Sequence, residues 1–294
     1  MSLMRDNING GAASLREIIK KSIVVAPGVF NGISALIAQR KGFNAAYLSG
    51  SGVAGAMGLP DISVTTMTEV LDEARKITAI SKIPLIVDID TGFGETVNVE
   101  RTIREMERAG VAAVHIEDQE LPKKCGHLSG KRTVPEDEMV KKIRAAVNSR
   151  KNEDFMIIAR TDARAVEGFD SAVERSISYF EAGADAVFTE ALESREEFVQ
   201  FRKRVNGYLM ANMTEDGKSP LLSVKELEDI GYNIVIFPLT AFRSSLLAMD
   251  HIYSVIKKNG TQRENLSEIM QRNVFYDIIG YYEYEDEDRK LSEK

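Results

Sequence analysis

Residues 85–117 read LIVDIDTGFGETVNVERTIREMERAGVAAVHIE. An unbroken apolar run, Leu85–Ile89, gives way to a glycine-bearing polar loop. Then comes VNVERTIREMERAG, where apolar residues return at i, i+3, i+4 and i+7, and after it a second apolar run, Ala113–Glu117. A run that is continuous rather than alternating in hydrophobicity suits a parallel strand covered on both faces. The period between the runs is that of an amphipathic helix, and Ala-Gly is a common place for one to end. The stretch is one strand–helix–strand unit.

Outward from this unit the same rhythm recurs. Further β-rich runs fall at Ile23–Ala26, Ala45–Leu48, Met156–Arg160, Ala186–Thr189, Tyr208–Ala211 and Ile234–Phe237, with helical stretches such as VPEDEMVKKIRAAV and SAVERSISYFEAG between them. Neither a break in composition nor a linker interrupts the alternation. The spacing predicts an α/β chain with residues 1–294 as a single (β/α)₈ barrel domain. The rival is an open doubly wound sheet: GSGVAG, residues 50–55, has the GxGxxG spacing of a dinucleotide-binding loop, but eight repeats of the unit in about 250 residues are the size of a barrel. Beyond Phe237 a helical extension is expected over about 241–294. It carries Phe275, Tyr276, Tyr281, Tyr282 and Tyr284, for which a contact between subunits or a helix packed on its own barrel are equal readings.

The 294 residues are 44% apolar and 28% charged, ordinary proportions for a globular protein. A net charge of −7 argues against a general nucleic-acid binder, which needs a basic surface. One cysteine excludes an internal disulfide. The start, MSLMRDNING, lacks the apolar region of a signal peptide, and no apolar run is long enough to span a membrane. The expectation is a cytoplasmic protein.

A barrel of this kind builds its site at the carboxyl ends of its strands. Those ends supply Tyr47, Ser49, Gly50 and Ser51; Asp88 and Asp90 with the loop TGFGE; His115, Glu117 and Asp118; Arg160 and Asp162; Glu190; and Asn212 and Thr214. Asp88 and Asp90 stand two apart, so both can face the barrel axis. Two converging carboxylates repel unless a cation intervenes. With Glu117 nearby and no cluster of thiols or imidazoles, the hard oxygen donors point to Mg²⁺, with Mn²⁺ the alternative. The plainer reading is an acid group neutralised by Arg160. Asp118 leads directly toward KKCGHLSGK, residues 123–131. There Lys123, Lys124, His127 and Lys131 leave Cys125 no apolar face, and such neighbours favour thiolate and a lowered pKa. Gly126 and Gly130 allow the segment to move as a lid. His115 is expected on the strand face near the metal, and His251 on an ordinary helix.

YLSGSGVAGAMGLPD, VDIDTGFG, VHIEDQ, KKCGHLSGK, ARTDARAVEG and NMTE, in that order, resemble the isocitrate lyase and phosphoenolpyruvate mutase superfamily, from about Ser14 to Tyr284. The Cys-Gly-His block is the mark of its carbon–carbon lyases. The resemblance implies Mg²⁺-dependent cleavage of a hydroxy-tricarboxylate, 2-methylisocitrate, to pyruvate and succinate. On it, Ser49 and Gly50 would hold the pyruvate-side carboxylate and Asp61 would support their loop. Asp88, Asp90 and Glu117 would serve the metal. Lys123, Cys125, Gly126 and His127 would form the lid, with Cys125 as general acid. Arg160, Glu190, Asn212 and Thr214 would take the succinate half, and Tyr47 would be a candidate base. Similar proteins are homotetramers that exchange a C-terminal helix. Ser51, where lyases of this kind carry a second glycine, and Asp216 in TEDGKSP widen the expected substrates to isocitrate or a dimethylmalate. A phosphonomutase or an oxaloacetate decarboxylase of the same fold is the alternative activity.

Overall fold

The structure, a computed structural model, describes residues 10–293, so the polar start lies outside the described residues. Eight parallel strands pair in chain order and close on themselves: β1 (Val24–Val29), β2 (Ala46–Leu48), β3 (Leu85–Asp88), β4 (Ala113–Glu117), β5 (Met156–Thr161), β6 (Ala186–Thr189), β7 (Tyr208–Asn212) and β8 (Ile234–Phe237). Closure excludes the open doubly wound sheet. Each expected apolar run falls on one of these strands.

Strand parity sorts the side chains into two apolar layers. Val87, Val114, Ile116, Ile157, Ala159, Val187 and Leu209 point outward to the helices. Ile86, Ala113, Met156, Ile158, Phe188, Met210 and Ile236 pack inside the barrel. Because successive residues alternate faces, the inward set continues upward two residues at a time. Ile86 is followed by Asp88, Ala113 by His115 and Glu117, Ile158 by Arg160, and Met210 by Asn212. The lower barrel is therefore a dry plug and its upper layer a ring of polar groups. The register sets β3 beside β4 at Asp88↔His115 and β4 beside β5 at Glu117↔Arg160, so these groups meet as neighbours.

The helix over 97–110 runs from Thr96 to Arg108 and ends on Gly110 at φ 77°, a conformation glycine adopts freely. A helix that the strand rhythm does not announce, Gly10–Lys21, precedes β1. Its Ala12, Leu15 and Ile19 are buried with Ala45, Ala112, Met156 and Ala186, residues at or just before strand starts, so it seals the amino end of the barrel. Arg16 Nη2 reaches Asp185 Oδ1 at 2.6 Å, and Arg150 Nη1 holds the other oxygen at 2.5 Å.

After β8 the chain forms the helices Thr240–Asn259, Arg272–Ile279 and Tyr281–Ser292, none of which has a buried residue. Arg272–Ile279 lies on the barrel helix Gly32–Arg40, with Arg40 paired to Asp277 at 2.5 Å. Tyr276 stacks on Tyr281 with ring centroids 4.4 Å apart. Along Thr240–Asn259, Leu246, Leu247, Met249, Tyr253 and Ile256 remain exposed.

Truncating Leu15 to alanine empties part of the seal at the barrel's amino end. We expect a loss of about 2–5 kcal/mol in urea unfolding. A midpoint unchanged from the parent chain would show that this helix is not part of the core.

Candidate active site

All the expected site residues except Gly50, Asp90 and Glu117 line one cavity at the carboxyl ends of the strands. Lys124, Phe188, Pro238 and Leu239 complete its wall. The three exceptions stand behind it and act on it through partners. Gly50 N donates to Asp88 Oδ2 at 3.1 Å, and a Cβ at Gly50 would sit 3.1 Å from Asp90 Oδ1, so only glycine allows that approach without displacing the carboxylate. Asp90, in the left-handed region at φ 47°, donates its amide to Asp88 Oδ1 at 3.0 Å and pairs with Lys123 Nζ at 2.9 Å. Glu117 Oε2 lies 3.2 Å from Arg160 Nη1.

Arg160 is the hub. Its Nε donates to Asp162 Oδ2 at 2.9 Å and its Nη2 to Asp162 Oδ1 at 3.2 Å, while Nη2 also lies 3.2 Å from Glu190 Oε2. The guanidinium sits over the Phe188 ring, 5.2 Å from its centroid. Burial works against ionisation of Glu190, but Arg160 and His127 outweigh it and hold the carboxyl well below its usual range. Glu190 also accepts from Asn212 Nδ2 at 3.3 Å.

The lid segment reaches across the mouth of the barrel. Lys123 pairs with Asp61 as well as Asp90, so Asp61 anchors the lid rather than only the loop after Ser49. Burial opposes the charge on Lys123, but Glu117, Asp90 and Asp88 hold its pKa above that of an ordinary lysine, so it is a fixed cation. His127 Nε2 lies 3.0 Å from Glu190 Oε1, and Lys218 N donates to His127 Nδ1 at 3.0 Å. A Cβ at Gly126 would sit 2.4 Å from both Arg160 Nη2 and Glu190 Cγ, which requires glycine at the point of closest approach.

Cys125 is exposed at the rim. Surrounding protein nevertheless pushes its thiol above the ordinary value, with the charge of Glu190 adding to the effect. The expected lowering is thus corrected. Of the cations beside Cys125 in sequence, Lys123 is spent on Asp61 and Asp90 and Lys131 on Asp162, carboxylates brought from elsewhere. A thiol that stays protonated at neutral pH is a proton donor, not a nucleophile in waiting.

Tyr47, the candidate base, rests as a phenol. Its hydroxyl shares a 2.6 Å hydrogen bond with His115 Nε2, and burial, aided by Asp88, raises its pKa well above the usual phenol. Burial lowers His115 to about 4, so its ring is neutral. His115 Nε2 also lies 3.4 Å from Asp88 Oδ1. Asp216 does not charge the site: 79% of its side chain is exposed, and it pairs with Arg243 at 2.7 Å. Asp118 faces away from the cavity, accepting from Thr161 Oγ1, Tyr179 Oη and Asp162 N at 2.7, 2.7 and 2.9 Å. His251 is on a surface helix beside Glu268, at 3.0 Å. The apolar wall of Phe188, Pro238 and Leu239 went unread in the sequence, although Phe188 shares its face of the strand with Glu190 by parity.

Among the described residues no three acidic, imidazole or thiol groups already stand as a metal site. The acidic groups nonetheless fit a hard divalent cation. Asp88 and Asp90 are buried neighbours offering only oxygen, and Glu117 Oε1 is buried without a hydrogen-bond partner. Burial and the Asp88 charge push Asp90 up to about 6, while His115, Lys123 and Arg160 hold Asp88 below its usual range against its own burial. A cation between them relieves the conflict.

The phosphoenolpyruvate phosphomutase family model matches residues 15–257. A 2-methylisocitrate lyase of Aeropyrum pernix is 52% identical over 293 residues, covering 99% of this chain and 94% of that one. The solved structure of a 2,3-dimethylmalate lyase superposes with a TM-score of 0.90 at 37% identity, covering 95% of each chain. A phosphonopyruvate hydrolase solved in complex with oxalate and Mg²⁺ superposes with a TM-score of 0.85 at 28% identity, covering 94% of this chain and 96% of that one.

The alkylation rate of Cys125 with iodoacetamide, followed against pH, is expected to reach its midpoint above that of an unperturbed thiol, because the protonated form is the favoured one. A midpoint below that of a free thiol would mean that the lid cations act on the sulfur after all.

Proposed function

The chain belongs to the isocitrate lyase and phosphoenolpyruvate mutase superfamily and is a carbon–carbon lyase, and from that premise we propose that it cleaves 2-methylisocitrate to pyruvate and succinate. The observation that carries this reading is the seating of Cys125-Gly126-His127 against Arg160 and Glu190, which delivers a protonated thiol to the rim of a cavity built for an anion.

Cleavage turns the C2 hydroxyl into the pyruvate carbonyl and leaves the C2–C3 electron pair on the succinate fragment as an aci-carboxylate. The groups of this chain divide that work. Arg160, steadied by Asp162, faces the fragment on which negative charge develops, and Asn212 and Thr214 hold its carboxylates. Cys125 gives the carbon its proton from the S–H. Tyr47 Oη would take the proton of the C2 hydroxyl as the phenol's own proton passes to His115 Nε2, 2.6 Å away. Asp88, Asp90 and Glu117 would hold Mg²⁺, which when bound offsets the charge of the substrate's carboxylate and oxygen. The closed lid keeps water from the carbanion-like fragment. Phe188, Pro238 and Leu239 offer an apolar wall for the substrate methyl group. Among the described residues no helix is long and apolar enough to cross a membrane, and we take the enzyme to act in the cytoplasm. The apolar face left open on Thr240–Asn259 supports a homotetramer in which this helix is exchanged.

The test is a panel of 2-methylisocitrate, isocitrate, 2,3-dimethylmalate and oxaloacetate, followed by pyruvate, glyoxylate or oxalate formation. Methylisocitrate is expected to give the highest kcat/KM, with activity abolished by EDTA and restored by Mg²⁺. Cys125→Ala should lower kcat by about 10²–10⁴-fold, the range for loss of a general acid. Undiminished turnover in EDTA would sink the metal assignment. Undiminished turnover by Cys125→Ala would sink the role of the thiol.

A further inference from the structure

Lys131 closes the KKCGHLSGK segment, yet it is buried while the thiol six residues before it is exposed. Its ammonium donates to the carbonyl of Gly126, the residue after Cys125, and to Asp162 Oδ1 at 2.6 Å. Asp162 is itself wholly buried. It accepts both the Nε and the Nη2 of Arg160, and its amide is held by Asp118, which Tyr179 and Thr161 fix in turn. A single cation inside the barrel wall thus ties the backbone of the lid to the strand end that carries Arg160.

The other polar anchors of the lid are of two kinds: Gln119 and Ser63 hold the backbone of Lys124 and Lys123 ahead of the thiol, at 2.9 and 3.1 Å, and the side-chain pairs face the cavity. Lys123 and His127 bind Asp61, Asp90 and Glu190, groups in or beside the cavity, where an anionic substrate and a divalent cation would contest them. Lys131 and Asp162 are not part of the cavity wall. Their hold on Gly126 survives when the cavity is filled. It also acts at the right place, since a Cβ on Gly126 would collide with Arg160 and Glu190 and so leaves the lid one close seat.

We propose that Lys131 is a positioning residue that clamps the Gly126 carbonyl to Asp162 and so fixes where Cys125 stands over the cavity during turnover. The proposal rests on the lyase reading, in which Cys125 is the proton donor. Removing the clamp frees the lid while leaving the carboxylate-binding groups of the barrel in place, so the chemical step suffers and substrate binding does not.

The experiment compares the parent chain with Lys131→Met and Lys131→Arg. Hydrogen–deuterium exchange is read over peptides spanning residues 121–130, with the strand peptides as internal reference, beside steady-state pyruvate release. In Lys131→Met the lid peptides should exchange about tenfold faster while the strands keep their protection. Its kcat should fall by about 10²-fold, as for loss of the general acid, with KM little changed. Lys131→Arg, which keeps a cation there, should recover lid protection and most of kcat. Lid exchange in Lys131→Met equal to that of the parent overturns the clamp. So does a variant that does not fold, or one whose strands exchange as fast as its lid, since Lys131 would then serve the stability of the barrel. The exchange measurement needs no substrate. A parent chain that cleaves nothing but whose lid Lys131→Met releases therefore sinks the lyase reading alone, and an active parent with an unchanged lid sinks the clamp alone.

Discussion

One guanidinium makes the upper layer of the barrel tenable. Glu117, Asp162 and Glu190 are all nearly or wholly buried, and Arg160 contacts each of them at 2.9 to 3.2 Å. Carboxylates taken from water need such a partner, because an isolated buried charge is penalised by several kcal/mol. A planar fork with five N–H donors can serve three acids at once, which a lysine ammonium cannot do with the same geometry. The parity of β5 places it: Ile158 packs in the apolar plug, so Arg160 enters the polar layer directly above.

Much of this was legible in the sequence, for a physical reason. Continuous apolar runs and helical periods are local, so eight of each declared the barrel. The i, i+2 rule then sent Asp88, Glu117, Arg160, Glu190 and Asn212 to its carboxyl end. Pairing is not local, and there the reading failed. Lys123 and Lys131 stand beside Cys125 in the chain, yet their charges go to Asp61 and Asp162, brought in by folding. The thiol is left with crowding instead of cations, and its pKa moves the opposite way from expectation. The rise in the Tyr47 pKa was hidden for the same reason, since burial among strands cannot be read from its neighbours. Asp216 looked threatening until Arg243, on a later helix, drew it outward.

The two ends of the chain show the same division. The helix Gly10–Lys21 carries Leu15 and Ile19 at helical spacing, but that it seals the barrel floor depends on strand starts scattered over the chain. The last helices also carry apolar residues at helical spacing, yet none of those residues is fully buried. Equal periodicity thus has opposite outcomes, decided by whether the barrel offers a face to receive it.

The saturation of Arg160 bears on affinity. Three of the donors that line the cavity are already engaged: Lys123, His127 and Arg160 each touch a carboxylate. An incoming acid therefore enters as a competitor for engaged donors, and its binding energy is the difference between two sets of ion pairs. That difference is small compared with either set. Capture is thereby weakened, but on the proposed reaction the same exchange runs in reverse when the two anionic fragments leave. The site's own carboxylates displace them, and the protein acts as its own counter-ligand.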